Sequence, residues 1–131
     1  MTVSLTLRQL QERYALTQLP ADSQHPSWLR GRFAAVLRSS DEVTVVAEEW
    51  SVPAGLPTKG GFCCLEIVGS FGLDSVGIVA AATRPIAEAG ISLFVYSTWS
   101  TDFILVAEDD LDRAKFALNA AGHVVQMTTP E

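Results

Sequence analysis

From residue 62 onward the apolar positions change period several times, and each change marks an element. Phe62-Cys63-Cys64-Leu65-Glu66-Ile67-Val68 is a short apolar run closed by Gly69. It lacks the ten or so residues a helix wants and is bounded by glycines, so it predicts a strand. Gly69 to Leu73 follows as a loop. Val76, Val79, Ala80, Thr83, Ile86 and Ala87 then recur at helical spacing, with Asp74 or Ser75 placed to cap the helix and Gly90 placed to end it. Pro85 falls inside this helix and removes the N–H that would reach the Ala81 carbonyl, which predicts a bent or loosened last turn. Ile91 to Ser97 sets Ile91, Leu93 and Val95 against Phe94 and Tyr96, a strand apolar on both sides, and a second such run covers Asp102 to Ala107. Between them Thr98-Trp99-Ser100-Thr101 is short enough for a hairpin. Asp109 or Asp110 can cap a helix carrying Leu111, Ala114, Ala117 and Leu118, Gly122 ends it, and His123 to Met127 is a last β-rich run. The order is βαββαβ, a ferredoxin-like split βαβ arrangement in the α+β class.

The first half is less regular. Leu5–Gln9 and Tyr14–Leu19 read as strands, although Leu7, Leu10 and Tyr14 also fit one side of a helix. Pro26–Leu29 predicts a single helical turn, and Arg32–Arg38 and Val43–Glu48 predict strands around Ser39-Ser40-Asp41-Glu42. The turn signal Pro57-Thr58-Lys59-Gly60-Gly61 is the candidate boundary between a mostly β half, 1–58, and the βαββαβ unit, 62–127. Right-handed crossovers place both helices on one face of the second sheet. Its other face is apolar too, so the first half, a second subunit or both must cover it. Side-by-side pairing of strand edges predicts a homodimer.

Composition narrows the functional classes. The chain has 131 residues, 48% of them hydrophobic and 18% charged. That suffices for one compact core or two very small ones. No stretch approaches the roughly eighteen uninterrupted apolar residues of a membrane span, and Arg8 and Gln9 interrupt the start where a secretory signal would be apolar, so the expected location is cytoplasmic. A net charge of −6 without a basic run argues against nucleic acid. Adjacent Cys63 and Cys64 would point to opposite faces of a strand, as buried small hydrophobes rather than metal ligands or a disulfide. His25 and His123 have no neighbouring ligand or nucleophile at a useful spacing. Gly69-Ser70-Phe71-Gly72 lacks the Gly-Lys-Ser/Thr ending of a phosphate loop and the dinucleotide fingerprint. No catalytic residue, metal or cofactor is expected.

Two blocks resemble the ACT-domain family. Gly72-Leu73-Asp74-Ser75-Val76-Gly77-Ile78-Val79-Ala80, with Arg84-Pro85-Ile86-Ala87-Glu88-Ala89-Gly90-Ile91-Ser92, is similar to the loop and helix of small bacterial ACT proteins and of the arginine-sensing ACT proteins of animals. Tyr96 to Val106 is similar to their strand-turn-strand, with its Ser-Thr-x-x-x-Asp turn. The first half is similar to a reduced ACT-like half at Tyr14–Pro20 and at Glu42–Val46. The resemblance implies a regulatory, non-catalytic protein that binds a small molecule, an amino acid by family habit, often between paired units. It also implies ligand-binding positions: Gly72, Leu73, Asp74, Ser75 and Gly77 in the loop, and Thr98, Trp99, Thr101 and Asp102 in the turn. Where the arginine-sensing relatives carry an acid at the helix start this sequence has Ser75, which removes a partner for a cationic ligand.

Independently of the resemblance, a helix start attracts an α-carboxylate, Asp102 offers an acceptor to an ammonium, and Trp99 offers an aromatic face. The same residues have plain structural roles: Asp74 as a cap, Asp102 as a turn residue, the glycines as tight backbone, and Gly77 as a close contact between helix and sheet. The competing functional class is a protein-interaction module that keeps the fold and binds no ligand.

Overall fold

A computed structural model describes residues 3–69, 71–72 and 75–128. The chain packs as two compact units, one made of Met1–Gln11 with Cys63–Glu131, the other of Glu12–Phe62. The chain therefore starts in the C-terminal unit, leaves it at Gln11 and returns at Cys63, where the sequence suggests two consecutive stretches.

In the first unit the sheet consists of β1 (Thr6–Gln9), the latter part of β5 (Thr58–Ile67), β6 (Phe94–Ser97), β7 (Asp102–Ala107) and β8 (Val124–Met127), in the order β6-β7-β5-β1-β8. β1 lies antiparallel to β5 with Leu7 opposite Ile67, and parallel to β8 with Leu7 opposite Val125. The expected four-stranded βαββαβ sheet is present with this N-terminal strand threaded between its first and last strands. Helices α1 (Ile78–Glu88) and α2 (Leu111–Ala120) connect β5 to β6 and β7 to β8. Alternate positions Cys63, Leu65 and Ile67 of β5 join Leu7, Ile104 and Val106 in one core with Ala82 and Ile86 of α1 and Leu111, Ala114 and Leu118 of α2. At about 1.5 to 3 kcal/mol per buried Leu or Ile side chain, this cluster is the main support of the unit. Cys64 and Leu105, on the opposite face, are fully buried as well.

α1 differs from the sequence expectation in start and in face. It begins at Ile78 after Gly77, which has φ 84° and provides no side-chain cap. Ser75 does not cap it: its N–H donates to the Gly72 carbonyl at 2.9 Å in a turn. Asp74 lies outside the described residues. The core-facing stripe is Ile78, Ala82, Ile86 and Ala89, whereas Val76 and Val79 are exposed. Both glycine stops form as expected, with Ile91 N–H returning to the Ile86 carbonyl past Gly90 and His123 N–H to the Leu118 carbonyl past Gly122. Asp110 precedes α2 without a capping bond and instead accepts from Arg113 Nη1 at 3.2 Å.

The second unit pairs β3 (Ala35–Arg38), β4 (Glu42–Glu48), β2 (Tyr14–Pro20) and the beginning of β5, in that order. Val43, Val45 and Ala47 of β4 form its core with Leu19, Trp28, Leu29 and Val52. Pro26–Leu29 is a turn with a 3.5 Å bond from Leu29 N–H to the Pro26 carbonyl, and not the helical turn expected. Buried Glu48 accepts from the Trp50 indole N–H at 2.7 Å and from Arg32 N–H at 3.0 Å, which fastens the loop before β3 to β4. The Gly60-Gly61 pair is not a linker. β5 runs through it, with Gly61 at φ 77° beside a register shift against β2, and Gly61 N–H donates to Glu49 Oε1 at 3.1 Å. A glycine pair inside a strand is thus a bulge, and the bulge admits the Glu49 carboxylate where a Cβ on Gly60 would meet it at 2.0 Å.

Candidate functional site

The β6–β7 hairpin turn is locked from within. Thr98 Oγ1 accepts from the N–H groups of Ser100 and Thr101 at 3.3 and 3.1 Å, and Thr98 N–H donates to the Thr101 carbonyl at 2.8 Å. Thr101 Oγ1 donates to the Ile67 carbonyl at 2.6 Å, anchoring the turn to the end of β5. Ser97 Oγ donates to Asp102 Oδ1 across the base of the hairpin. The loop after β5 is tied to the same turn by Phe71 N–H, which donates to the Ser100 carbonyl at 2.8 Å. Gly69, at φ 124°, lets the Phe71 ring fold back over the backbone; a Cβ there would sit 3.3 Å from the ring.

These ties leave a cleft of about 320 Å³ between the hairpin turn and the start of α1. Gly72, Ser75, Gly77, Thr98, Trp99, Thr101 and Asp102 all line it. Leu73 and Asp74, named from the sequence with them, lie outside the described residues. Each lining residue arrives by a distinct local cause: Gly72 and Ser75 through their turn, Gly77 through its left-handed conformation, and the other four through the hairpin. Phe71, Ile78, Val79, Ala80, Ser97 and Ser100 also line the cleft and were not named for it from the sequence. Ile78 and Val79 were assignable only once the helix start was known to fall at Gly77, which turns the first helical residues toward the hairpin. The two threonines are the reverse case, since their hydroxyls serve the turn.

The cleft combines two kinds of electrostatics. At the start of α1 the first amides have no intrahelical acceptor and, among the described residues, no side-chain cap, so they present partial positive charge. Asp102, half-buried, brings the one carboxylate found among the described lining residues. Outside the cleft, half-buried Tyr96 on β6 has its phenol pushed up by burial. Among the described residues, no group of three or more His, Cys, Asp and Glu side chains is gathered that could hold a metal, and no helix is long and apolar enough to cross a membrane.

Residues 58–120 match the family model described as ACT domain. This stretch belongs to the ACT-domain family. The ACT domain is a regulatory, non-catalytic unit, and its ferredoxin-like fold is the one found here. Among solved structures, a protein of Agobacterium tumefaciens is similar to the chain over 99% of its length and 98% of the other, with 29% identity and a TM-score of 0.92. A Vibrio cholerae protein described as of unknown function, possible transport protein, is 24% identical with 91% of each chain covered and a TM-score of 0.68. The regulatory subunit of aspartate kinase from Thermus flavus shares the fold at 10% identity, covering 92% of this chain and 97% of its own, with a TM-score of 0.61.

Proposed function

We propose that this ACT protein is a cytoplasmic regulatory module that binds a free amino acid in the cleft between the hairpin turn and α1. The observation that carries the reading is the pairing, in one cleft, of a helix start that no described side chain caps with the carboxylate of Asp102. An α-carboxylate is matched to the first, an α-ammonium to the second, and only a molecule bearing both groups close together uses both. The fold shared with the regulatory subunit of an aspartate kinase, and the match to an ACT domain, support a regulatory role. Gly72, Ser75, Gly77, Trp99 and Asp102 contact the ligand; Leu73 and Asp74 are ligand positions on the family resemblance alone. Thr98 and Thr101 contribute by holding the turn. Calorimetry and thermal shift across the amino acids test the reading: stabilisation and binding heat that vanish in Asp102→Asn support it, and the absence of both at millimolar ligand sinks it.

The working unit is a homodimer. Strand edges that are apolar and unpaired within their own units support this: Leu37 on β3 is 64% exposed and Met127 on β8 is 60% exposed. Sedimentation that shows only monomer at high concentration would overturn it. A ligand-free interaction module is the second reading, favoured by Trp99 and Phe116, exposed at 80% and 75%. Isolation of a stable complex whose affinity no amino acid alters would establish it in place of the first.

A further inference from the structure

We infer that the cleft selects amino acids with uncharged, apolar side chains. This rests on the reading that the cleft holds an amino acid, and it goes on to say which. Once the α-carboxylate and α-ammonium are placed, the side chain is left with Phe71, Ile78, Val79 and Trp99, four apolar surfaces in a space of about 320 Å³. Three of the five hydroxyls on the described lining are committed elsewhere: Thr98 Oγ1 to the turn amides, Thr101 Oγ1 to the Ile67 carbonyl, and Ser97 Oγ to Asp102, which leaves those of Ser75 and Ser100. Ser75 is uncharged, and the one carboxylate among the described lining residues is taken by the ligand's own ammonium. A cationic side chain would then lie against apolar walls while competing with that ammonium for Asp102. Trp99, largely in water, gives a cation only a weak solvent-screened attraction. An acidic side chain would face Asp102 itself, and like charges in a cleft repel.

Calorimetry with a straight-chain series, alanine, 2-aminobutyrate, norvaline and norleucine, tests this without altering the protein. Each methylene buried against the walls should tighten binding roughly fourfold, so norleucine should bind several tens of times more tightly than alanine. Arginine, lysine, aspartate and glutamate should each bind at least about tenfold more weakly than norleucine, lysine and glutamate being the comparisons nearest to it in length. A flat series, or a charged amino acid binding as tightly as norleucine, overturns the inference while leaving amino-acid binding intact. No heat from any amino acid at millimolar concentration overturns both. A slope that survives Trp99→Ala but disappears in Val79→Ser places the selecting wall on α1. If neither substitution changes the slope, the apolar walls do not select and the inference fails.

Discussion

Pro85 has no N–H to give the Ala81 carbonyl, and the imidazole of His123 stands in for it: Nε2 lies 2.9 Å from that oxygen, while Nδ1 accepts from Leu5 N–H at 3.0 Å. A carbonyl only accepts and an amide only donates, so the ring is the tautomer with its proton on Nε2. One buried side chain thereby joins the entry to β1, the middle of α1 and the approach to β8. His123→Ala leaves two backbone groups unsatisfied at about 1 to 3 kcal/mol each, so a loss of roughly 2 to 6 kcal/mol is expected in urea unfolding with an unchanged slope. Cys64 provides a second test. Burial first, then the charge of Glu66 and the neighbouring Cys63 thiol, push its thiol well above the ordinary 9.0. The unfolded chain ionises this group above about pH 9 while the folded one does not, so stability falls as pH rises through that range, by up to about 1.4 kcal/mol per pH unit. Urea midpoints measured between about pH 8 and pH 10 should fall less steeply in Cys64→Val, and an unchanged slope would count against this account.

At the scale of elements, the acceptor that Pro85 frees in the last turns of α1 is used by another element. That makes the two residues thermodynamically coupled. Pro85→Ala restores a donor to the Ala81 carbonyl, so in the His123→Ala background it should recover about 0.5 to 1.5 kcal/mol, more than it gains in the wild type, in a double-mutant cycle. Additive changes would show that the two residues do not share that acceptor. Helix existence, helix stops and the hairpin were legible from periodicity and from Gly90 and Gly122. The phase of α1 was not. Ile78-Val79-Ala80-Ala81-Ala82 is apolar at every position, so several stripes fit a helical period equally well, and contact with Leu65 and Ile104 on the sheet decides among them.

At the scale of the molecule, the cleft is assembled from segments about twenty residues apart in sequence, the loop into α1 and the β6–β7 turn, which adjacent β5 and β7 bring together. Asp102 sits half-buried beside Ser97 and outside the main core, so Asp102→Asn should abolish amino-acid binding and lower the stability measured by urea unfolding by no more than about 0.5 to 1 kcal/mol. A large loss of stability would assign Asp102 to the fold instead. Seven of the nine residues named from the sequence line the one cleft. Their apolar company was harder to read, because Phe71, Ile78 and Val79 look like any core residues until the start of the helix is fixed.

The βαββαβ order was determined by the sequence alone, because period, β-branching and glycine stops act over a few residues and need no distant partner. The two motif blocks in the loop and turn were likewise visible in it. Only the tertiary structure decided where β1 pairs. A short strand such as Thr6–Gln9 satisfies its hydrogen bonds equally well beside any open edge, and its place between β5 and β8 is set by the burial of Leu5 and Leu7 against both helices. The same holds for Gly60-Gly61, whose composition fits a linker and a bulge alike until Glu49 occupies the space a Gly60 side chain would take and accepts from Gly61 N–H.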